Sequence, residues 1–319
     1  MGIFYNYCKF NTRLTTHLFY NNIRLSGEEN IPIDKPVLLA LTHPNSFLDA
    51  VLVGGMIKRD TYFLARGDAF GNKLVLPILN SLNMLPVFRL SEGKDNLGKN
   101  AETFDACQNI LAKRKIVIIF AEGLSENNWE LRAMKKGPAR IAKKAWSSDS
   151  DSKEMVVIPV GLTYEHYQGS GKNILLNIGK PITKNHFDEN ENEALFVRKF
   201  NDKVMQDLGQ LAYINPALKV GTKEYQNFRG VFQQAVKNEK TVPKIIEALY
   251  TNKKEGLKVN EHKFLVYSLL FLPLYKLVNW LSPKIVKQQI FFDSVSFGLF
   301  MFLWPIYLIV IGVILNAIF

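Results

Sequence analysis

Pro36-Val37-Leu38-Leu39-Ala40-Leu41-Thr42-His43-Pro44-Asn45-Ser46-Phe47-Leu48-Asp49 is the stretch from which this chain is best read. The unbroken apolar run 36–41 has the length and content of a strand buried on both faces. The segment behind it, 46–58, spaces its apolar residues as a helix does. His43 therefore stands where a strand hands over to a helix, and in an open α/β sheet ligands gather beyond the carboxyl ends of the strands. A histidine there, with the carboxylate of Asp49 one helical turn into the next element, has the makings of a general base and its orienting partner. A plainer reading competes for the same residues. Ser46-Phe47-Leu48-Asp49 also fits a helix capping box, with Asp49 accepting from the Ser46 backbone N–H.

Working outward, further strands are expected near 61–65, 85–89, 115–120, 156–163 and 173–179. Helices are expected near 46–58, 72–82, 99–113, 137–147 and 191–212. Alternation of this kind predicts an α/β fold, a mainly parallel sheet flanked by helices. Three of these strands end in chemistry. Leu85-Pro86-Val87-Phe88 runs into Arg89, Ile116–Phe120 runs through Ala121 into Glu122-Gly123, and Val156–Tyr164 carries Pro159.

Taken in order, these blocks resemble the glycerolipid acyltransferase family over roughly residues 25–185. That family is marked by a His-(X)n-Asp block, a strand ending in Arg, a Phe-Pro-Glu-Gly block and a Val-Pro-Val block. The His43–Asp49 spacing, with five residues between, is similar to the His-X-Asn-X-Phe-X-Asp form of the glycerol-3-phosphate and dihydroxyacetone-phosphate branch. There are departures: Ala121 stands in place of proline, Leu124-Ser125 replaces the usual Thr-Arg, and Ile158 takes the first Val position. The resemblance implies a glycerol-phosphate acyltransferase-like fold. It also implies transfer of a fatty acyl group from acyl-CoA or acyl-ACP to a hydroxyl of glycerol 3-phosphate or 1-acylglycerol 3-phosphate, in phospholipid synthesis. A lysophospholipid remodelling acyltransferase is the alternative within enzymes, and a non-enzymatic basic module that binds membrane lipid is the alternative outside them.

The chemistry of such a transfer can be assigned to residues. His43 suits the base, because an imidazole exchanges protons near neutral pH, and Asp49 would fix its tautomer. No Gly-X-Ser-X-Gly elbow is present, so direct transfer is expected rather than an acyl-enzyme. Arg89 is the expected grip on the acceptor phosphate, since a guanidinium binds phosphate through paired hydrogen bonds. Gly123 would allow close approach of the backbone, and Glu122 would orient Arg89 or an acceptor hydroxyl. Lys136, Arg140 and Lys144 recur at helical spacing. Lys136 and Arg140, at a helix start, are the expected site for donor or lipid phosphates.

Composition agrees with an anionic partner. The 319 residues carry a formal net charge of +11, which points to phosphorylated substrates or an anionic membrane surface. Nucleic acid is not expected, because the base and its carboxylate have no use there. Two cysteines, Cys8 and Cys107, form neither a disulfide framework nor a zinc pattern, so neither metal nor cofactor is expected beyond the acyl donor as co-substrate.

The chain divides into a 1–30 N-terminal amphipathic segment, a 31–215 acyltransferase domain, a 216–260 helical connector and 261–319 membrane-associated hydrophobic segments. The last 25 residues, from Val295, carry no charge and are long enough to span a bilayer. The stretch 264–281 is a marginal span that suits dipping into the membrane. Lysines on both its sides (Lys253, Lys254, Lys258 and Lys263 before, Lys284 and Lys287 after) predict a catalytic domain on the cytoplasmic face.

Overall fold

The computed structural model of the protein describes residues 2–88, 98–188, 191–251, 257, 259 and 267–318. Among these residues the strands are β1 (Asn22–Ser26), β2 (Val37–Leu41), β3 (Thr61–Arg66), β4 (Met84–Val87), β5 (Ile116–Phe120), β6 (Val156–Tyr164) and β7 (Asn173–Ile178). The α-helices are α1 (Ile3–Phe19), α2 (Ser46–Met56), α3 (Leu76–Ser81), α4 (Asn100–Ala112), α5 (Gly137–Trp146), α6 (Glu193–Leu211), α7 (Lys223–Asn238), α8 (Val242–Thr251), α9 (Tyr267–Ile285) and α10 (Phe292–Ile318).

The strands form one sheet in the order β1-β7-β6-β2-β5-β3-β4. From β6 to β4 every pairing is parallel, as expected. At the other edge β7 runs antiparallel to β6, and β1 runs parallel to β7. β1 falls inside the stretch 1–30, which the sequence presents as an amphipathic segment only. Its Asn-Ile-Arg-Leu-Ser is short and polar, and its residues are no more than half-buried, so its signal as a strand is weak.

β2 is the fully buried centre. Val37, Leu39 and Leu41 face one core, shared with α2, α7, α8, α9 and α10; Leu38 and Ala40 face the other, shared with α4, α5 and α6. That two-faced burial explains why the run is continuously apolar rather than alternating. Pro159 sits in β6 between two neighbours, an unusual place for a residue without an N–H. Its carbonyl accepts from Gly179 just where β7 departs, so its nitrogen faces a point at which the ladder is already ending.

Connectivity places the site. From β2 the chain passes through α2 to β3 on one side; from β5 it passes through α5 to β6 on the other. Neighbouring strands whose connections leave in opposite directions open a crevice at their carboxyl ends. The register aligns those ends: Leu41 pairs with Phe120 on β5 and with Val160 on β6.

The two C-terminal helices, α9 and α10, pack on each other, on α1 and on α2. Phe271, Leu274, Tyr275 and Val278 of α9 and Phe297, Phe300 and Met301 of α10 are buried. From Phe302 to Ala317 no residue of α10 is buried. Leu269 and Trp280 of α9, and Ile3 and Phe10 of α1, are likewise exposed apolar side chains. Among the described residues one helical stretch, Gln289–Ala317, is long and apolar enough to cross a membrane, with a mean hydropathy of 2.5.

Candidate active site

The turn between β2 and α2 holds His43 and Asp49 against each other. His43 Nδ1 lies 2.9 Å from Asp49 Oδ2. A carboxylate only accepts, so Nδ1 carries a proton, and in the neutral imidazole it is Nε2 that offers the lone pair. Nε2 has no protein partner among the described residues, and the side chain keeps 11% of its surface exposed while that of Asp49 has none. Phe120, the last residue of β5, stacks on the imidazole with ring centroids 3.8 Å apart. One face of the ring is thereby fixed and one nitrogen is left open.

Asp49 is held by more than the histidine. Its Oδ2 also accepts from the Asn45 backbone N–H at 2.8 Å, and its Oδ1 from the Tyr164 hydroxyl at 2.7 Å. The capping contact foreseen from sequence therefore exists but is shifted by one residue, from Ser46 to Asn45. It coexists with the histidine contact rather than replacing it. Burial, with Asp49 beside it, pushes Tyr164 well above the usual phenol range, so the hydroxyl stays protonated and donates. Ser46 has a φ of 52°, a left-handed conformation that a side chain with a Cβ adopts only when its surroundings hold it.

Glu122 lies one strand over and buried, beyond the end of β5. Its Oε1 accepts from the His43 backbone N–H at 2.9 Å. Its Oε2 accepts from the Arg132 backbone at 3.2 Å and pairs with the Arg132 guanidinium at 2.9 Å. Burial raises the Glu122 carboxyl above its ordinary range; Arg132 and the two main-chain donors oppose that rise. Arg132 also reaches the carbonyl of His43 at 3.4 Å. Both Glu122 oxygens thus serve to hold the His43 turn. Gly123 has a φ of +69°, and a Cβ there would come within 2.8 Å of Lys135 Cγ, so glycine is required by conformation and by space.

The remaining expected residues fall elsewhere. Arg89 lies outside the described residues, as do Lys253, Lys254, Lys258 and Lys263. Lys136 is exposed at the N-terminus of α5. Arg140 pairs with Glu193 at 3.0 Å, and Lys144 pairs with Asp105. These two cations face α6 and α4, whereas His43 and Asp49 stand at the end of β2. A cleft of about 870 Å³ lies beside the site, lined by Asn127, Tyr167, His166 and Arg229 among others, with neither His43 nor Asp49 in its wall.

Two site residues have little signal in the sequence. Arg132 sits in a polar loop without regular structure, and only its position behind Glu122-Gly123 hints at a role. Tyr164 is the last residue of an apolar strand and looks like core. Among the described residues there is no cluster of His, Cys, Asp and Glu able to hold a metal ion.

Comparison with known proteins bears on this geometry. Residues 22–163 match the model of the family described as Acyltransferase. A 1-acyl-sn-glycerol-3-phosphate acyltransferase of Bacillus subtilis (strain 168) is 23% identical over 196 residues, covering 58% of this chain and 87% of that protein. The crystal structure of the 1-acyl-sn-glycerophosphate (LPA) acyltransferase PlsC from Thermotoga maritima aligns at a TM-score of 0.44 and 21% identity, over 64% of this chain and 78% of that one. The family match spans the strands that carry His43, Asp49 and Glu122, and the Bacillus relative aligns along most of its own length. Residues 22–163 are thus similar to the acyltransferase family, and the stretch that matches takes in His43, Asp49 and Glu122.

Proposed function

We propose that this protein moves a fatty acyl group from a thioester donor, acyl-CoA or acyl-ACP, to a hydroxyl of glycerol 3-phosphate or 1-acylglycerol 3-phosphate. The observation that carries the reading is the open Nε2 of a histidine whose Nδ1 is tied to a buried, triply bonded carboxylate. The acceptor hydroxyl attacks the thioester carbonyl as its proton passes to Nε2. The C–O bond forms, the tetrahedral oxyanion collapses, the C–S bond breaks, and the thiolate takes the proton from the imidazolium. Asp49 stabilises that imidazolium without taking the proton itself.

Glu122 is reassigned in this scheme. With both oxygens bound inside the protein, it holds the His43 main chain and positions Arg132 rather than meeting the acceptor. Arg89 remains the proposed grip on the acceptor phosphate, with Gly123 allowing close approach. Lys136 is the better placed of the two cations proposed for donor or lipid phosphates, because Arg140 is occupied by Glu193. The exposed apolar side chains of α10, α9 and α1 suit contact with a bilayer, and the net charge suits its anionic cytoplasmic face.

The test is to incubate the purified full chain with radiolabelled acyl donor and a panel of acceptors, and to identify the labelled lipid. Label in lysophosphatidate or phosphatidate supports the reading. Label only in phospholipids that carry a larger headgroup moves the protein to the remodelling enzymes. No label with any acceptor overturns the proposal.

A further inference from the structure

The first turn of the apolar C-terminal helix reaches into the active-site turn. Asp293, only 1% exposed, lies with Oδ2 3.1 Å from the side-chain Nδ2 of Asn45. Its Oδ1 accepts from the Gly169 backbone at 2.7 Å, and it forms an ion pair with the fully buried Lys172. Next to it, Ser294 Oγ accepts from the Leu48 backbone N–H at 3.0 Å.

These contacts fill a need created by the site. The first turn of any α-helix leaves backbone N–H groups without partners, and the residue before the helix usually supplies an oxygen to one of them. Here that residue is Asn45, and its side chain caps nothing in α2. Its amide is turned away toward Asp293 and the carbonyl of Tyr167, and its backbone N–H is committed to Asp49. The missing cap is provided from 246 positions away, by Ser294. The turn is also conformationally demanding: Asn45 has φ −139° and ψ 45°, and Ser46 follows at a φ of 52°. A backbone of this kind keeps its shape only where outside contacts impose it.

We propose that Asp293 and Ser294 are positioning residues for the His43–Asp49 pair, so that seating of α10 on residues 45–48 sets the geometry of the base. The helix that offers its apolar length to a membrane then has a second task at its N-terminal end. The proposal deepens the acyl-transfer reading and rests on it for its kinetic consequence. It competes with a simpler role, in which Asp293 only neutralises buried Lys172.

The experiment uses the full chain in lipid vesicles and compares Ser294→Ala, Ser294→Thr and the double variant Lys172→Met/Asp293→Asn, which removes both buried charges together. Ser296→Ala is the control, since the Ser296 hydroxyl bonds Ser282 between α9 and α10 rather than a residue of the turn. Two quantities are read. One is kcat and KM for both substrates. The other is the NMR signal of the His43 Nδ1 proton, assigned by its loss in His43→Gln, which needs no turnover. The expected result is a fall in kcat of about tenfold or more in the double variant, and a smaller fall in Ser294→Ala that Ser294→Thr restores. Both KM values should stay within about threefold, and the Nδ1 signal should shift or broaden. Ser296→Ala should match the wild type. If the double variant fails to fold, Ser294→Ala and Ser294→Thr decide alone. Wild-type kcat and an unmoved Nδ1 signal in Ser294→Ala and the double variant would overturn the proposal. An inactive wild type would sink the acyl-transfer reading, while the Nδ1 signal would still decide whether the helix governs the turn.

Discussion

His43 and Asp49 lie 2.9 Å apart at the end of β2, and Arg140 and Glu193 lie 3.0 Å apart between α5 and α6. By distance the two ion pairs are alike. Their surroundings are not. The Asp49 side chain has no exposed surface, and its carboxylate accepts from three donors; the side chains of Arg140 and Glu193 are each about half exposed, at 51% and 58%. Water competes for an exposed pair and leaves little net attraction, whereas a buried carboxylate depends on every donor it has. Geometry alone therefore does not mark a site on this protein. What sets His43 and Asp49 apart is a buried, fully bonded carboxylate joined to an imidazole whose other nitrogen is left open.

The strongest way to break the comparison is to remove the base. His43→Ala should lower kcat/KM by about a thousandfold, within the range typical of a lost general base, and leave the fold intact by circular dichroism. Near wild-type transfer by that variant would remove His43 from the chemistry.

Asp49→Asn should come next. The amide oxygen can still accept from the His43 and Asn45 donors, while its NH2 can turn to the Tyr164 oxygen, so melting temperature should move little. It cannot stabilise an imidazolium, and kcat should fall roughly a hundredfold. A fully active variant that melts lower would instead leave Asp49 as a helix cap and nothing more.

Arg132→Met asks whether the buried logic extends to Glu122. Breaking a buried pair costs about 3–5 kcal/mol. Because the Arg132 side chain keeps 17% exposure, about 2 kcal/mol is expected here. The pH dependence follows from the raised Glu122 carboxyl. A carboxyl that keeps its proton to higher pH when folded than when unfolded contributes stability fully below its unfolded pKa. That contribution is lost as pH rises through the folded value. Arg132 pulls the folded value down, so its removal extends the loss to higher pH. Melting curves across pH should show the gap from wild type growing as pH rises, and adding Glu122→Gln should flatten it. A gap independent of pH would mean that Arg132 acts through packing alone.

Arg140→Ala should have the smallest effect, under about 1 kcal/mol of stability and within twofold in kcat. If it weakened the acyl-donor KM strongly, the exposed pair would have to open to meet a phosphate, and the comparison would need redrawing.

Much of the sheet was legible in the chain because a strand buried on both faces must be apolar throughout, as 37–41 is, and because the His43–Asp49 contact closes within one strand-to-helix turn. β1 was not legible. Its pairing with β7 leaves it half-buried, and a half-buried edge strand of five residues has too little periodicity to stand out. The capping and the base-partner readings of Asp49 looked like rivals in the sequence. They are compatible in the fold, because one carboxylate has lone pairs enough for both.

The sequence by itself determined the buried strand, the histidine beyond it, the carboxylate one turn later and the apolar C-terminal helix, since each is a property of contiguous residues. Only the tertiary structure decided that Glu122 holds the His43 backbone, that Arg132 balances Glu122, that Tyr164 completes Asp49 and that Asp293 meets Asn45. These contacts join residues from 10 to 248 positions apart. Apolar periodicity reports which face of an element is covered, but it carries no record of the element that covers it. The strand order brings β5, β2 and β6 side by side, and the loop that carries Arg132 and the helix that carries Asp293 then supply the partners that the strands do not.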